Sequence, residues 1–126
     1  MANWTPGGFI GQLFRVNGRH VPPPPGVKPP TLWGTEERLR ELFGDSVSSL
    51  SVSRRTFVFR YLSADHWIEF WREYYGPTLK AFAALDKAGK DALAQDLRAL
   101  VARFNRSGSE TMIVPSEYLE VIAVKR

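Results

Sequence analysis

Residues 112–124 have the sequence MIVPSEYLEVIAV, which predicts a long β-strand near the end of the chain. The run from Val121 to Val124 lacks polar alternation, a pattern typical of a strand that is buried on both faces. Pro115 has no N–H to donate to a ladder, so it marks the start of the strand, an edge position or a bulge. We therefore expect this strand to lie within a sheet and to have neighbours that cover it.

A second long strand is predicted at about 47–60. Its apolar side chains change parity, since Leu50 and Val52 share one face while Phe57 and Phe59 share the other. The change predicts either a bulge near Arg54 or burial on both faces. Because helices separate the two strands in sequence, they pair most simply as antiparallel neighbours. A two-stranded sheet is marginal alone, so a larger sheet is expected.

Helical patterns account for most of the remaining sequence. Between the first two helices, residues 21–30 contain six prolines and predict an extended segment, named here the proline strap. The sequence thus predicts an α+β domain over 1–126, in which four to five helices pack on the strand pair. We expect 1–34 to be a helix plus strap that covers the substrate side, and 35–126 to be a core. The predicted helices are 6–20 with Thr5 as N-cap, 35–43 with Thr35 as N-cap and Gly44 at its end, 63–75 opened by Ser63, a segment from Pro77, and 89–105.

Composition excludes several classes of protein. The 126 residues contain no cysteine, which excludes a disulfide scaffold, a zinc–thiolate site and a cysteine nucleophile. The net charge of +4 comes from scattered basic residues with acids among them, which argues against nucleic-acid binding. No apolar run approaches the roughly 20 residues of a membrane span, and no signal-peptide pattern opens the sequence. We therefore expect a cytoplasmic protein that binds neither nucleic acid nor membrane.

The sequence predicts no catalytic residue and no metal ligand. Its two histidines, His20 and His66, are too few for a histidine-built metal site, and neither a Gly-rich phosphate loop nor a GxSxG elbow occurs. His20 follows a Gly-containing helix that could close over a ligand, so it is a candidate ligand contact. Trp67, Trp71 and Tyr75 could line a pocket for a hydrophobic ligand or form the core. The proline strap itself could dock onto a proline-recognising partner.

Short motifs spread over the whole chain form a recognisable pattern. They are Ala2-Asn3-Trp4-Thr5-Pro6, Gly8-Phe9-Ile10-Gly11, Val21-Pro22-Pro23-Pro24, Leu32-Trp33-Gly34, Phe59-Arg60-Tyr61, His66-Trp67, Tyr75-Gly76-Pro77, Arg103-Phe104-Asn105-Arg106 and Pro115-Ser116-Glu117-Tyr118-Leu119-Glu120-Val121. Together they resemble the C-terminal half of class I S-adenosylmethionine-dependent methyltransferases. The most similar members are those that methylate small molecules, including the ubiquinone/menaquinone-biosynthesis type.

This resemblance implies a place for each strand in a seven-stranded, Rossmann-like sheet. Asn3 and Trp4 would end the fifth strand, 47–60 would be the sixth, and 112–124 the seventh, inserted antiparallel between them. The first helix and the proline strap would cover the substrate, which makes Asn3, Trp4, Phe9 and His20 candidate substrate contacts. The family binds its cofactor through a Gly-rich turn after the first strand and an acidic residue that ends the second. Neither is present, so we predict no cofactor-binding residue and no S-adenosylmethionine binding by this chain alone.

These observations predict a methyltransferase-like, C-terminal substrate-side lobe. It would not be catalytically autonomous, and it would come from an enzyme class that methylates a small hydrophobic or aromatic molecule. The alternative is a stand-alone module that binds a small ligand or another protein without catalysis. An uncovered strand edge predicts either a homodimer or pairing with a separately encoded cofactor-binding half.

Overall fold

The computed structural model describes residues 1–108 and 110–126 of the chain. This part contains three β-strands and five α-helices, which confirms the predicted α+β class. The strands are β1 (Ala2–Trp4), β2 (Val47–Tyr61) and β3 (Met112–Lys125), and the helices are α1 (Phe9–His20), α2 (Glu36–Phe43), α3 (Ala64–Tyr74), α4 (Gly76–Ala83) and α5 (Lys87–Phe104). No described helix combines the length and the apolar character that crossing a lipid bilayer requires.

The three strands form one antiparallel sheet in the order β1-β3-β2. The long pair that the sequence predicts is present, with Leu50 opposite Ala123 and Tyr61 opposite Met112. On the other side of β3, the short β1 pairs Asn3 with Leu119. The last strand of the chain is therefore the central strand of the sheet.

Pro115 lies within the central strand without interrupting it. Glu117 accepts a backbone hydrogen bond from Thr5 on the β1 side of β3, and Val121 donates one to Met1 on the same side. Since backbone groups alternate along a strand, the nitrogen of Pro115 faces this side as well. Because β1 ends at Trp4, opposite Tyr118, none of the described strands lies there to require a donor. Of the three predicted positions, the edge position is the observed one.

The change of parity in β2 reflects partial burial on both faces, because no residue of β2 is fully buried. The register with β3 is continuous from Ser49 to Tyr61, and the one irregularity lies between Val47 and Ser49. A bulge near Arg54 is therefore wrong. Leu50 and Val52 pack beside α2, whereas Phe59 and Tyr61 pack against the larger core on the opposite face.

The burial predicted for the end of β3 is only partly present. Val121 is buried, but Ile122 and Val124 are about half exposed, at 56% and 49%. The reason is geometric, because the larger core reaches the face of β3 that carries Ile122 and Val124 only at Met112 and Val114, near the other end of the strand. On the face that carries Val121, the small α2 cluster around Leu39 supplies the cover. The expectation that the whole run 121–124 is buried on both faces is wrong for this structure.

The first helix begins three residues later than the sequence predicts. Thr5 continues the β1 edge, because its N–H and its hydroxyl both donate to the Glu117 carbonyl, at 3.2 and 3.3 Å. It is therefore not the N-cap, and Gly8 occupies that position in an extended conformation. A turn with Gly8 N–H bonded to Thr5 O connects strand and helix. The other predicted caps are confirmed, since Thr35 and Ser63 accept backbone hydrogen bonds at the start of α2 and α3.

The main hydrophobic core lies between the helices and one half of the sheet. Helix α1 contributes Phe9, Ile10 and Leu13, all fully buried, and β3 contributes Met112 and Val114. Helix α1 is therefore part of the core rather than a loose cover over it. The other walls of this core come from α3, α4 and α5, through Trp67, Trp71, Ala81, Phe82, Leu93, Leu97, Leu100 and Val101.

Candidate ligand cleft beneath the proline strap

A cleft of about 500 Å³ lies between α1, the proline strap and α4. Its walls are mostly apolar. Phe14 comes from α1, Val27 and Pro29 come from the strap, and Pro77 and Ala81 come from α4. A volume of this size lies within the roughly 300–1,000 Å³ typical of small-molecule sites. The cleft is therefore large enough for one small apolar ligand.

The proline strap covers the cleft as an irregular segment, because its sequence prevents regular pairing with a strand. Prolines supply no backbone donors, and Gly26 adopts a positive φ of 83° in a turn where Val27 N–H bonds Pro24 O. The strap then ends in a 3-10 turn at Pro30–Gly34. This turn is anchored against β1, because a Cβ at Gly34 would overlap the Trp4 carbonyl oxygen. The roof thus begins at the end of α1 and is fixed at its far end to the sheet.

Two glycines of α1 shape the floor of the cleft in different ways. A Cβ at Gly11 would overlap the carbonyl oxygens of Thr5 and Pro6, so Gly11 allows the preceding turn to approach the helix. Outside its own helical turn, a Cβ at Gly18 would meet no atom of the described residues within 4 Å. Gly18 lines the cleft beside Phe14, so its missing side chain leaves part of the open volume.

Asn17 is a buried polar side chain on the cleft wall, as Thr31 is, but its amide lacks hydrogen-bond partners. It is 7% exposed, and neither its Nδ2 nor its Oδ1 has a hydrogen-bond partner among the described residues. A buried amide without a partner is costly, by about 1–3 kcal/mol. Asn17 therefore offers one donor and one acceptor to a molecule in the cleft.

The charged residues that line the cleft are all basic. Arg15 comes from α1, Lys28 from the strap and Lys80 from α4, and no acid lines the described cleft. Glu41 on α2 is an acid whose pKa is affected by the charge of the strap. The Arg38 guanidinium, which donates to Glu41 at 2.7 Å, holds the pKa of that carboxyl below its ordinary value, and Lys28 adds to the lowering.

The aromatic candidates from the sequence lie in the core rather than on the cleft. Phe9 and Trp67 are both fully buried, with ring centroids 5.3 Å apart. Trp71 is 8% exposed, and its Nε1 donates to the Tyr61 hydroxyl at 2.8 Å. The Tyr75 ring lies 4.2 Å from that of Trp71, and burial raises the pKa of its phenol. Of the two interpretations of these aromatics, the placement favours the core.

The candidates on β1 lie at a different place from the cleft. Trp4 packs against Phe59 and Tyr118, at 5.8 and 5.9 Å between ring centroids. With Ala2 and Phe57 it lines a hollow of about 310 Å³ on the sheet. Asn3 has a buried Nδ2 without a partner among the described residues. These residues do not come together with the aromatic candidates to form one site.

His20 lies at the end of α1 and joins it to α5. Its Nε2 and the Asp96 Oδ2 are 2.6 Å apart, and His20 is not among the residues that line the cleft. The position suits a contact that fixes the end of α1. Among the described residues, no group of three or more His, Asp or Glu side chains could hold a metal ion.

Sequence reasoning missed the residues that line the cleft, above all Asn17, Gly18 and Lys80. One signal for Asn17 was available. Leu13 is fully buried, and Asn17 follows it by four residues, which puts a polar side chain on the buried face of an amphipathic helix. Gly18 and Lys80 have no such signal, because only the folded chain brings α1 and α4 together.

Comparison with known proteins adds relatives but no family. No model of a known protein family matches the sequence. The chain is 32% identical to the uncharacterized protein Rv1405c of Mycobacterium tuberculosis, in a match that covers 98% of this chain and 45% of the relative. It is also 32% identical to the uncharacterized protein Rv1403c of the same organism, over 66% of this chain and 31% of that protein. The chain thus spans less than half the length of these curated relatives.

Proposed function

We propose that this chain is the substrate-side lobe of a methyltransferase-like protein and holds a small hydrophobic molecule in the cleft beneath the proline strap. The cleft carries the proposal, because it is apolar, of ligand size and built at the place that the resemblance assigns to substrate. The lobe binds and orients the acceptor molecule. Methyl transfer depends mainly on such positioning of acceptor against donor.

The order of the strands supports the proposal. Strand β3 lies between β1 and β2 and runs antiparallel to both. This is the arrangement that the resemblance implies for the seventh strand between the fifth and the sixth. Within the described residues, β1 pairs on one side only, so its other edge is open to a further strand.

The lengths of the relatives also fit a lobe of a larger protein. More than half of Rv1405c lies outside its match to this chain. In the proposal, a part of that kind carries the S-adenosylmethionine site, and it joins the lobe either within one chain or as a separate partner. The homodimer is the other way to cover the open edge.

Ligand binding is tested with N-phenyl-1-naphthylamine, a neutral apolar dye whose fluorescence rises in apolar surroundings. We expect a Kd in the micromolar range, corresponding to roughly 8 kcal/mol. Gly18→Phe places a ring in the open volume beside Phe14 and should abolish binding, because no neighbour lies within 4 Å of its Cβ to resist the ring. Ala99→Phe adds the same ring to an exposed position of α5 and should leave binding unchanged.

Two results would contradict this part of the proposal. One is the absence of dye binding by a chain that melts cooperatively. The other is equal binding by the two phenylalanine variants, which would place the dye elsewhere, for example in the hollow beside Trp4.

The methyltransferase part needs a separate measurement. We expect calorimetric titration to show S-adenosylmethionine binding to full-length Rv1405c and none to this chain. If the dye binds this chain but Rv1405c does not bind S-adenosylmethionine, the second candidate function holds. The chain is then a ligand-binding module without catalysis, which the cleft alone also favours.

A further inference from the structure

We propose that the ligand of the cleft is an amphipathic anion, an apolar body that carries one carboxylate or similar oxyanion. This inference rests on the proposed function, because it names the chemical class of the molecule held beneath the strap. Two independent features of the cleft support it. They are the charges along its walls and the polar side chain buried in one of them.

Each wall of the cleft supplies one cation. Arg15 lies on α1, Lys28 on the strap and Lys80 on α4, so the positive charges come from three different elements that line the cleft. None of the three is within 4 Å of a carboxylate in the described part of the chain. An arriving anion therefore does not have to displace an internal partner from any of them.

The surroundings strengthen this attraction. Apolar walls of low dielectric and charges of a single sign concentrate the potential within a cleft. The charge of Lys28 contributes to the lowered pKa of Glu41, but the hydrogen-bonded partner of Glu41 is Arg38, at 2.7 Å. No acid lines the described cleft, so its lining carries a net positive charge. A neutral apolar ligand would gain nothing from it.

Asn17 gives the ligand a second polar contact. Its amide is more than nine-tenths buried, lines the cleft and lacks any partner among the described residues. The Nδ2 group can donate to an oxygen of the ligand, and the Oδ1 can accept from a hydroxyl or an N–H. A hydrogen bond with the ligand removes the free-energy cost of the unpartnered buried amide. This favours a ligand with a polar group placed beside its apolar body.

Two dyes that differ by one group test the inference. 1-Anilinonaphthalene-8-sulfonate is N-phenyl-1-naphthylamine with a sulfonate added, so the pair isolates the negative charge. We expect the sulfonate dye to bind at least about threefold more tightly, and raising NaCl from about 20 mM to about 0.5 M to remove most of that preference. The neutral dye should change little with salt.

Charge-matched variants assign the preference to the cleft. The double variant Arg15→Gln, Lys80→Gln should weaken the sulfonate dye by about twofold to threefold, which removes most of its preference, and leave the neutral dye within about 1.5-fold. The control, Lys87→Gln with Lys125→Gln, removes two exposed cations that do not line the cleft and should alter neither dye. Thermal melts of all variants show that the fold is retained.

The outcomes separate the two proposals. If the neutral dye binds and Gly18→Phe blocks it, but the sulfonate confers no preference, the anion is refuted while the cleft remains a ligand site. If the preference is lost equally in the cleft double variant and in its control, the effect is one of net charge and the inference is also refuted. If neither dye binds, the proposed function itself fails.

Discussion

Replacing Asn17 by leucine should make the protein more stable and a poorer binder of the ligand. Asn17 is 7% exposed with two unpartnered amide atoms, which costs about 1–3 kcal/mol in the folded state. Leucine removes that cost and is also a better helix former, by about 0.5 kcal/mol. The two effects together predict a gain of about 2 kcal/mol in the free energy of unfolding.

That gain translates into a measurable change in melting temperature. For a chain of 126 residues, the entropy of unfolding is about 0.26 kcal/mol per degree, so the Tm should rise by about 8 °C. Calorimetry and circular dichroism at neutral pH measure the change. Asn17→Asp is the control, because a carboxylate at the same buried position should lower the Tm.

The reasoning fails if Asn17→Leu lowers the Tm or leaves it unchanged, since the amide would then be partnered and structural. A rise in Tm with unchanged affinity for 1-anilinonaphthalene-8-sulfonate would separate the two roles. In that case the amide destabilises the fold but does not contact the ligand. A rise in Tm together with weaker dye binding is the expected result, and a purely structural residue would not produce it.

Three other substitutions test the fold around the site. Gly34→Ala should destabilise the protein by about 2–3 kcal/mol in urea titrations. The reason is that the new Cβ would overlap the Trp4 carbonyl and lie 2.6 Å from its carbon. Gly18→Ala, with open space at its Cβ, is the matched control. Leu39→Ala should cost about 2–4 kcal/mol in the same titration, because Leu39 is fully buried and anchors the α2 cluster. Burial raises the pKa of Tyr75 above its ordinary value near 10, so its contribution to stability is complete below that value and falls as the pH rises through the folded pKa. The free energy of unfolding of Tyr75→Phe should therefore fall less than that of the unsubstituted protein between about pH 9 and pH 11. Equal losses in the two proteins would contradict the raised pKa of Tyr75.

Elements with strong local signals could be predicted from the sequence. Thr35 and Ser63 cap α2 and α3 as expected, because a cap depends on a few adjacent residues. The long strands at 47–60 and 112–124 were also evident from β-favouring side chains. The prediction that Thr5 is an N-cap was wrong. Two hydrogen bonds to the carbonyl of Glu117, far away in sequence, outweigh the favourable local position of Thr5 before Pro6.

The cleft could not be predicted, because no single segment contains it. Its walls come from α1, the strap and α4, and their juxtaposition depends on packing across the whole core. The aromatic residues that drew attention in the sequence are large and apolar, and the same property that suits a ligand pocket suits the core. Trp67 and Phe9 accordingly lie in the core, fully buried. The exposed fractions of Ile122 and Val124 show the converse, since residue type indicates a preference for burial but not whether a neighbour is present.

Helix α1 carries two residues that weaken it where it borders the cleft. Gly18 costs about 1 kcal/mol relative to alanine, and the space around its Cβ position shows that no close packing requires glycine there. Asn17, the residue before it, leaves a buried amide without a partner. Gly11 differs, because the Thr5 and Pro6 carbonyls exclude any side chain at its position. Packing therefore explains the glycine at position 11, but it explains neither Gly18 nor Asn17. Local departures from stability tend to occur at functional sites, and here both lie on the wall of the cleft, where open volume and an available amide serve a bound molecule rather than the fold.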